Sequence, residues 1–335
     1  MRRTLIGSTT LALFTLTAGA IEPLPTNSGW HGFVSPAVSA VEVRDNQIAG
    51  AGPLEIGNER IESLDEKPDK ESAGSFSMNA EVGYMFADRD TYLYLGNRLE
   101  DVLRLDNSSE LGLRTKIDGL GILEAGLMFS AVATEVWTDP FLTGADREET
   151  DRSSQGVRVG LANLFDSPFE VHLSVRQVEV DDERSGESLT LTPAERDLLA
   201  RDGDSARLEV LYTWVINKQH VLIPSVNFGT YDADGDAITR SGGGAKITHA
   251  FSHGRYRLVS NLSITRTSFD EENPVFDEKA DADEFLISVT GFYSRFFDID
   301  NLSGMASLLY AESDSDIDFY YSEATLVSLG VLYRF

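Results

Sequence analysis

The chain has 335 residues, with 55 Asp plus Glu against 28 Lys plus Arg, a formal charge of -27 and no cysteine. The missing cysteines exclude disulfide scaffolds, thiolate metal sites and cysteine nucleophiles, and a surface this acidic repels phosphate backbones, so nucleic acid is not an expected partner. Hydrophobic residues at 41% leave enough apolar material for an ordered structure.

Arg2 and Arg3 open the chain, Leu5 to Leu16 form an apolar run, and Ala18-Gly19-Ala20 follows as a small-residue cleavage site, the grammar of a secretory leader. Residues 1–20 are therefore expected to be removed on export, leaving 21–28 as a short periplasmic segment and 29–335 as a single domain. The apolar run falls short of the roughly 20 residues that a spanning helix needs. No later stretch is apolar enough for one either, so any crossing of a membrane has to be made by strands.

Beyond the leader the dominant pattern has period two. Phe76, Met78, Ala80, Val82, Tyr84 and Phe86 alternate with Ser77, Asn79, Glu81, Gly83 and Met85, and the same alternation returns at Leu123 to Ala133, Phe169 to Arg176 and Tyr256 to Thr265. Each run is long for a globular strand and suits one tilted across a bilayer. Short connections at 87–90, 118–121, 165–168, 217–220, 252–255 and 297–301 alternate with long ones near 44–73, 98–108, 138–153, 181–206, 232–242, 269–283 and 312–321. That layout predicts an all-β, antiparallel up-and-down transmembrane barrel with short periplasmic turns and long acidic extracellular loops. The count is 14 strands, or 12 if the segments around Tyr92 and Leu111 are not full spans. Most of the net negative charge lies in the long connections, where a spanning barrel must put it.

At the C-terminus Leu329, Val331, Tyr333 and Phe335 share one face and end in an aromatic residue. Together with the leader, this is similar to the terminal strand by which bacterial outer-membrane proteins are recognised by the barrel-assembly machinery. The segments Glu135-Val136-Trp137-Thr138-Asp139-Pro140-Phe141 with Arg147 and Asp151, Asp181 to Gly186 running into Leu199 to Gly203, Asn273-Pro274-Val275-Phe276 and Asp318-Phe319-Tyr320 carry a wider resemblance. Over nearly the whole mature chain, the sequence resembles a family of uncharacterised outer-membrane proteins of marine Gram-negative bacteria, classed as a domain of unknown function. The resemblance implies location and fold and assigns no activity.

Strand parity turns Arg114, Lys116, Arg158, Arg176, Arg207, Lys246, Arg257 and Arg334 inward, against Glu81, Glu110, Glu124, Glu170 and Glu209. A 14-stranded lumen is wider than the side-chain-filled interior of an eight-stranded barrel, so the expectation is a porin-like channel for small solutes. The alternative is an interior filled by cross-strand ion pairs, in a barrel that acts through its acidic loops as an adhesin or structural surface protein. Thr192, Pro193 and Glu195 mark a short capped helix in the 181–206 connection, which could constrict the lumen or sit on its rim, and the 44–73 connection could do the same. With about eight residues before the first strand, a globular plug or an N-terminal hatch is not expected.

Asp232, Asp234 and Asp236 offer alternate carboxylates for calcium, although the twelfth position of the EF-hand pattern is Gly243 and solvated loop acidity explains them as well. No cofactor is expected beyond divalent cations bridging the acidic loops to each other or to lipopolysaccharide. His172 and Ser174 share a face but lack an acid and an oxyanion hole, so no enzyme is expected. Tyr84, Phe86, Phe129, Trp137, Tyr212, Trp214, Tyr293 and Tyr333 are candidates for interfacial aromatic girdles, although Trp137, beside a long connection, could instead be a rim residue.

Overall fold

Alternating side chains leave each strand one apolar and one polar face, and the chain satisfies both by rolling a single meander into a ring. The computed structural model describes residues 21–51, 54–101 and 106–335; the expected leader lies outside the described residues. Fourteen strands follow in order: β1 (Gly29–Arg44), β2 (Glu71–Phe86), β3 (Thr91–Asp101), β4 (Asp106–Ile117), β5 (Gly121–Ser130), β6 (Glu149–Ala162) and β7 (Phe169–Val180). The second half comprises β8 (Gly203–Tyr212, continued by Trp214–Val215), β9 (His220–Ala233), β10 (Arg240–His253), β11 (Tyr256–Phe269), β12 (Ala282–Ser294), β13 (Leu302–Ser315) and β14 (Ser322–Arg334). Each pairs antiparallel with its neighbour in sequence, and β1 pairs with β14 from Phe33↔Arg334 to Arg44↔Glu323. Closure leaves no sheet edge in the ring with unpaired amides and carbonyls, which a bilayer would not solvate.

The choice between 12 and 14 strands is settled by β3 and β4, both full-length. Their connection is much shorter than the expected 98–108, because pairing continues to Asp101↔Asp106. Several other strands also run past the expected loop boundaries, and a short strand Ile48–Ala51 pairs with Thr134–Trp137, which in turn pairs with β6. The wall therefore rises beyond the apolar belt on the long-loop side.

The exposed and buried faces are the reverse of those in a soluble protein. Phe76, Leu127, Val226, Ile264 and Leu329 are exposed on the outer face, whereas Glu110, Arg114, Glu124, Glu170 and Arg176 are buried inside. A soluble fold would lose stabilisation on both faces; a barrel in lipid loses it on neither.

Aromatic side chains gather at the short-turn end. Trp30 meets Tyr84 edge-on with ring centroids 5.4 Å apart, Phe169 meets Tyr212 at 5.0 Å, and Tyr256 meets Tyr293 at 5.1 Å. Trp137 takes neither a girdle place nor an open rim place: it is fully buried among the long loops with the Arg147 guanidinium 4.3 Å over its ring. Two short turns share a conformation with left-handed backbone at Asn163, Phe165 and Asp166 and again at Arg295, Phe297 and Asp298. Both leave a phenylalanine, Phe165 or Phe297, projecting from the turn at 70% and 79% exposure, respectively.

Residues 21–28 run inside the turn end of the barrel: Ile21 is buried and its backbone N–H donates to Glu170 Oε1 at 2.5 Å. The segment's two large aliphatic side chains, Ile21 and Leu24, face the inner wall, where Leu24 packs against Met85, Tyr92 and Tyr94.

Candidate functional site

The interior divides into three levels. At the turn end it is filled. One wall carries an apolar cluster of Phe33, Leu211, Val221, Ile223, Ala250, Val259, Phe292 and Leu332. The opposite wall carries ion pairs: Arg114 on β4 donates through Nε to Glu124 Oε2 at 2.7 Å and through Nη2 to Glu81 Oε2 at 2.9 Å, while its guanidinium lies 4.1 Å over the Tyr94 ring. Arg114 and Glu124 stand directly opposite each other in the β4–β5 register, so local pairing sets this contact. Tyr94 Oη donates to Glu110, and Arg158 Nη1 approaches Glu110 at 3.7 Å. Farther round, Lys246 Nζ sits 2.8 Å from Glu209.

Above this filling lies a cavity of about 160 Å³ against β6 to β12. Its wall includes four arginines, Arg152, Arg176, Arg207 and Arg240, with a single carboxylate, Glu284, and the hydroxyls of Ser174, Tyr231, Thr265 and Thr267. Glu284 Oε1 accepts from Thr267 Oγ1 at 3.0 Å. Arg240 also connects the chamber to its roof, its guanidinium lying 4.6 Å from the Tyr231 ring centroid and 5.5 Å from that of Phe269.

The roof is a small folded unit made from the long loops. Phe141, Leu199, Ala280, Ile317 and Phe319 form its buried core, with Ile61, Leu64, Leu189, Leu191, Val275 and Phe276 packed around them. Hydrogen bonds tie loop to loop. Asp139 accepts from the Gly186 N–H at 2.9 Å and the Ser188 N–H at 2.8 Å, and Arg147 donates to the carbonyls of Asn46 and Pro140, each at 3.1 Å. Arg201 is ion-paired to Glu183 at 2.7 Å and donates to the Trp137 carbonyl at 2.8 Å. The helix of the 181–206 connection is a short turn, Pro193–Asp197, closed by a capping box between Thr192 and Glu195, and the flanking Leu191 and Leu199 pack into this roof. The segments that carried the sequence resemblance contribute Trp137, Asp139, Phe141, Arg147, Leu199, Arg201 and Phe319 to this cap.

Burial decides the electrostatics of the cap. Desolvation pushes the Asp45 carboxyl up to about 6, although it accepts from the Gln47 and Ile48 N–H groups and lies near Arg147. Burial likewise brings the Arg147 guanidinium down to about 10, against the pull of Asp45 and Asp139. Below its unfolded value near 4, Asp45 is neutral in both states; as pH rises toward 6 only the folded cap keeps the proton, so cap stability falls across that window. The charged form above pH 6 costs about 3 kcal/mol, from roughly two pH units at 1.36 kcal/mol each. Asp45→Asn keeps an acceptor for both N–H groups and is expected to slow protease cleavage of the loops at pH 8 but not at pH 4. Equal gains at both pH values would locate the effect elsewhere.

The sequence-assigned residues distribute unevenly over these levels. Arg176 and Arg207 line the chamber; Arg114, Arg158, Lys246, Glu124 and Glu170 belong to the filled level. Arg257 Nε lies 3.4 Å from Ser252 Oγ near a turn, and Lys116 is exposed at the turn end of β4. Arg152 and Arg240 share parity with Arg158 and Lys246 but fall within the expected connections 138–153 and 232–242, whereas their strands already begin at Glu149 and Arg240. His172 Nε2 lies 2.5 Å from Glu170 Oε1, while Ser174 lies on the chamber wall.

Asp232, Asp234 and Asp236 are all exposed, and among the described residues no three acidic or histidine side chains converge as a metal site would require. The calcium expectation is corrected on that geometry: Asp232 lies in a strand paired with β8, and the reversal after it is held by backbone bonds from Gly235 to Ala200 and from Ala237 to Leu198. At the C-terminus, Tyr333 and Phe335 stack on the outer face with centroids 6.5 Å apart, and Val331 lies on the same face of β14.

Among solved structures, the fold is similar to a Pseudomonas aeruginosa FadL homologue, with a TM-score of 0.50, 12% identity and coverage of 91% of this chain and 90% of that one. The Pseudomonas putida toluene transporter TodX aligns with a TM-score of 0.45, 10% identity and coverage of 91% and 89%. A loop-deletion mutant of OmpT, an outer membrane protein of Vibrio cholerae, aligns at 0.43, 12% identity and coverage of 92% and 99%. At these identities the likeness concerns the fold. No curated protein matches the sequence. The match over residues 29–334, the whole ring of strands with its cap, places the chain in the family described as "Protein of unknown function (DUF2860)".

Proposed function

We propose that this protein is an outer-membrane channel that admits small acidic solutes through the arginine-lined chamber. The observation that carries the reading is the chamber wall, with four arginines against one carboxylate inside a closed 14-strand barrel. A solute carboxylate or phosphate entering there exchanges water for charge-assisted hydrogen bonds, and exchange between neighbouring arginines lets it move on. The filled turn end and the cap make this a gated route rather than an open pore, with the 181–202 loop as the element that must shift on the outer side. In this reading the leader is removed at Ala20, the Val331, Tyr333 and Phe335 face presents the chain to the assembly machinery, and lipopolysaccharide surrounds the acidic cap.

The test is conductance of the refolded protein in a planar bilayer, intact and with residues 185–200 replaced by a short Gly-Ser link. Conductance steps that grow on replacement, with a reversal potential favouring anions, are expected. Arg207→Gln together with Arg240→Gln should lower the anion-to-cation permeability ratio severalfold. A folded barrel that conducts in neither form would discard the channel and favour a surface protein acting through its loops, a reading that the packed cap and filled turn end also accommodate.

A further inference from the structure

The segment before β1 bridges the periplasmic mouth. β1 begins at Gly29, whereas Ile21 ends against β6 and β7, nearly halfway round a ring of fourteen strands. Eight extended residues reach at most about 26–29 Å, enough to cross a barrel of this size. Along the way Glu22 lies 4.0 Å from Arg334, and Leu24 rests on Met85, Tyr92 and Tyr94. At the far end, space for Ile21 depends on Gly160, where an added Cβ would come within 2.9 Å of Ile21 Cδ1.

Glu170 explains why the segment ends there. Its carboxylate is buried at 6% exposure and accepts from the Ile21 backbone nitrogen at 2.5 Å, with the His172 ring on the same oxygen. A buried carboxylate costs several kcal/mol unless a charge neutralises it; a backbone amide brings none, and the His172 ring brings one only when protonated. The atom facing Glu170 is the one that would become an amine if the chain began at Ile21. Free α-amines ordinarily titrate near 8, so that group would be charged at neutral pH.

We propose that leader removal creates a latch: water adds across the Ala20–Ile21 peptide bond, the leader leaves with the Ala20 carboxylate, and the new Ile21 ammonium pairs with Glu170. Residues 21–28 are then clamped across the mouth as the periplasmic bar of the channel. The proposal rests on the export reading above, with a signal peptidase of the membrane supplying the cleavage.

The experiment uses protein extracted from outer membranes. Intact mass should place the mature N-terminus at Ile21. An amine-reactive ester at pH 7, read by mass spectrometry of the N-terminal peptide, should label Ile21 at least tenfold more slowly in the folded wild type than in Glu170→Gln. A refolded chain with Gly-Ser placed before Ile21 keeps Glu170 but moves the ammonium, and it should label as fast as Glu170→Gln. An N-terminus anywhere else would overturn the latch together with the export reading. An Ile21 terminus that labels equally fast in the wild type, Glu170→Gln and the extended chain would overturn the latch alone.

Discussion

Arg114→Met is expected to lower folding stability by roughly 3–5 kcal/mol, the cost of leaving buried charges without their partner. Glu124 is fully enclosed and Glu81 nearly so, at 0% and 12% side-chain exposure, so neither recovers water when the guanidinium goes. Urea titration of protein refolded into phosphatidylcholine vesicles, followed by tryptophan emission, measures the loss. Arg114→Met combined with Glu81→Gln and Glu124→Gln should regain most of it, because neutral amides do not need the cation. Arg114→Lys should fall between, since an ammonium cannot reproduce the planar fork by which Nε serves Glu124 and Nη2 serves Glu81. A loss below about 1 kcal/mol for Arg114→Met would mean that the filled level is not held by this triad.

Phe319→Ala should open the cap without unfolding the barrel. Phe319 is completely buried and stacks on Phe141 with centroids 5.2 Å apart, so truncation leaves a cavity worth about 3–5 kcal/mol. That cost falls on loops held by packing and a few loop-to-loop hydrogen bonds, whereas the strands below keep their closed ladder. Local opening should therefore rise by about a hundredfold or more, read as faster protease cleavage within 181–202 and 270–281. Heat-modifiable migration of the barrel should remain, and conductance should grow. Unchanged cleavage in the variant would show that the apolar cluster is not what holds the cap.

The same two regions mark how far the sequence could be read. Period-two alternation and the succession of short and long connections establish an antiparallel barrel, because side chains on a strand point alternately to opposite faces whatever surrounds them. That local rule also turns Arg114, Arg176 and Glu124 inward. It does not say how high on the wall each stands or what faces it across the lumen. Arg114 and Arg176 look alike in sequence, yet one is held by Glu81 and Glu124 in the filled level and the other lines the chamber.

The cap was the least legible part. Trp137 reads as a girdle candidate or a rim residue, but Gly57, Arg147 and Arg201, brought together by the loops, enclose it. Asp232, Asp234 and Asp236 read as ligands by spacing, but strand pairing and the turn that follows leave them exposed. Residues 21–28 read only as a short segment before the first strand, and it is the inner wall at Gly160 and Glu170 that supplies a place for Ile21. The sequence by itself determined the barrel, its inward and outward faces and its acidic loops, since these follow from the direction of each side chain along its own strand. The chamber, the cap and the N-terminal bar were decided by the tertiary structure, because they arise from contacts between segments that only ring closure brings together.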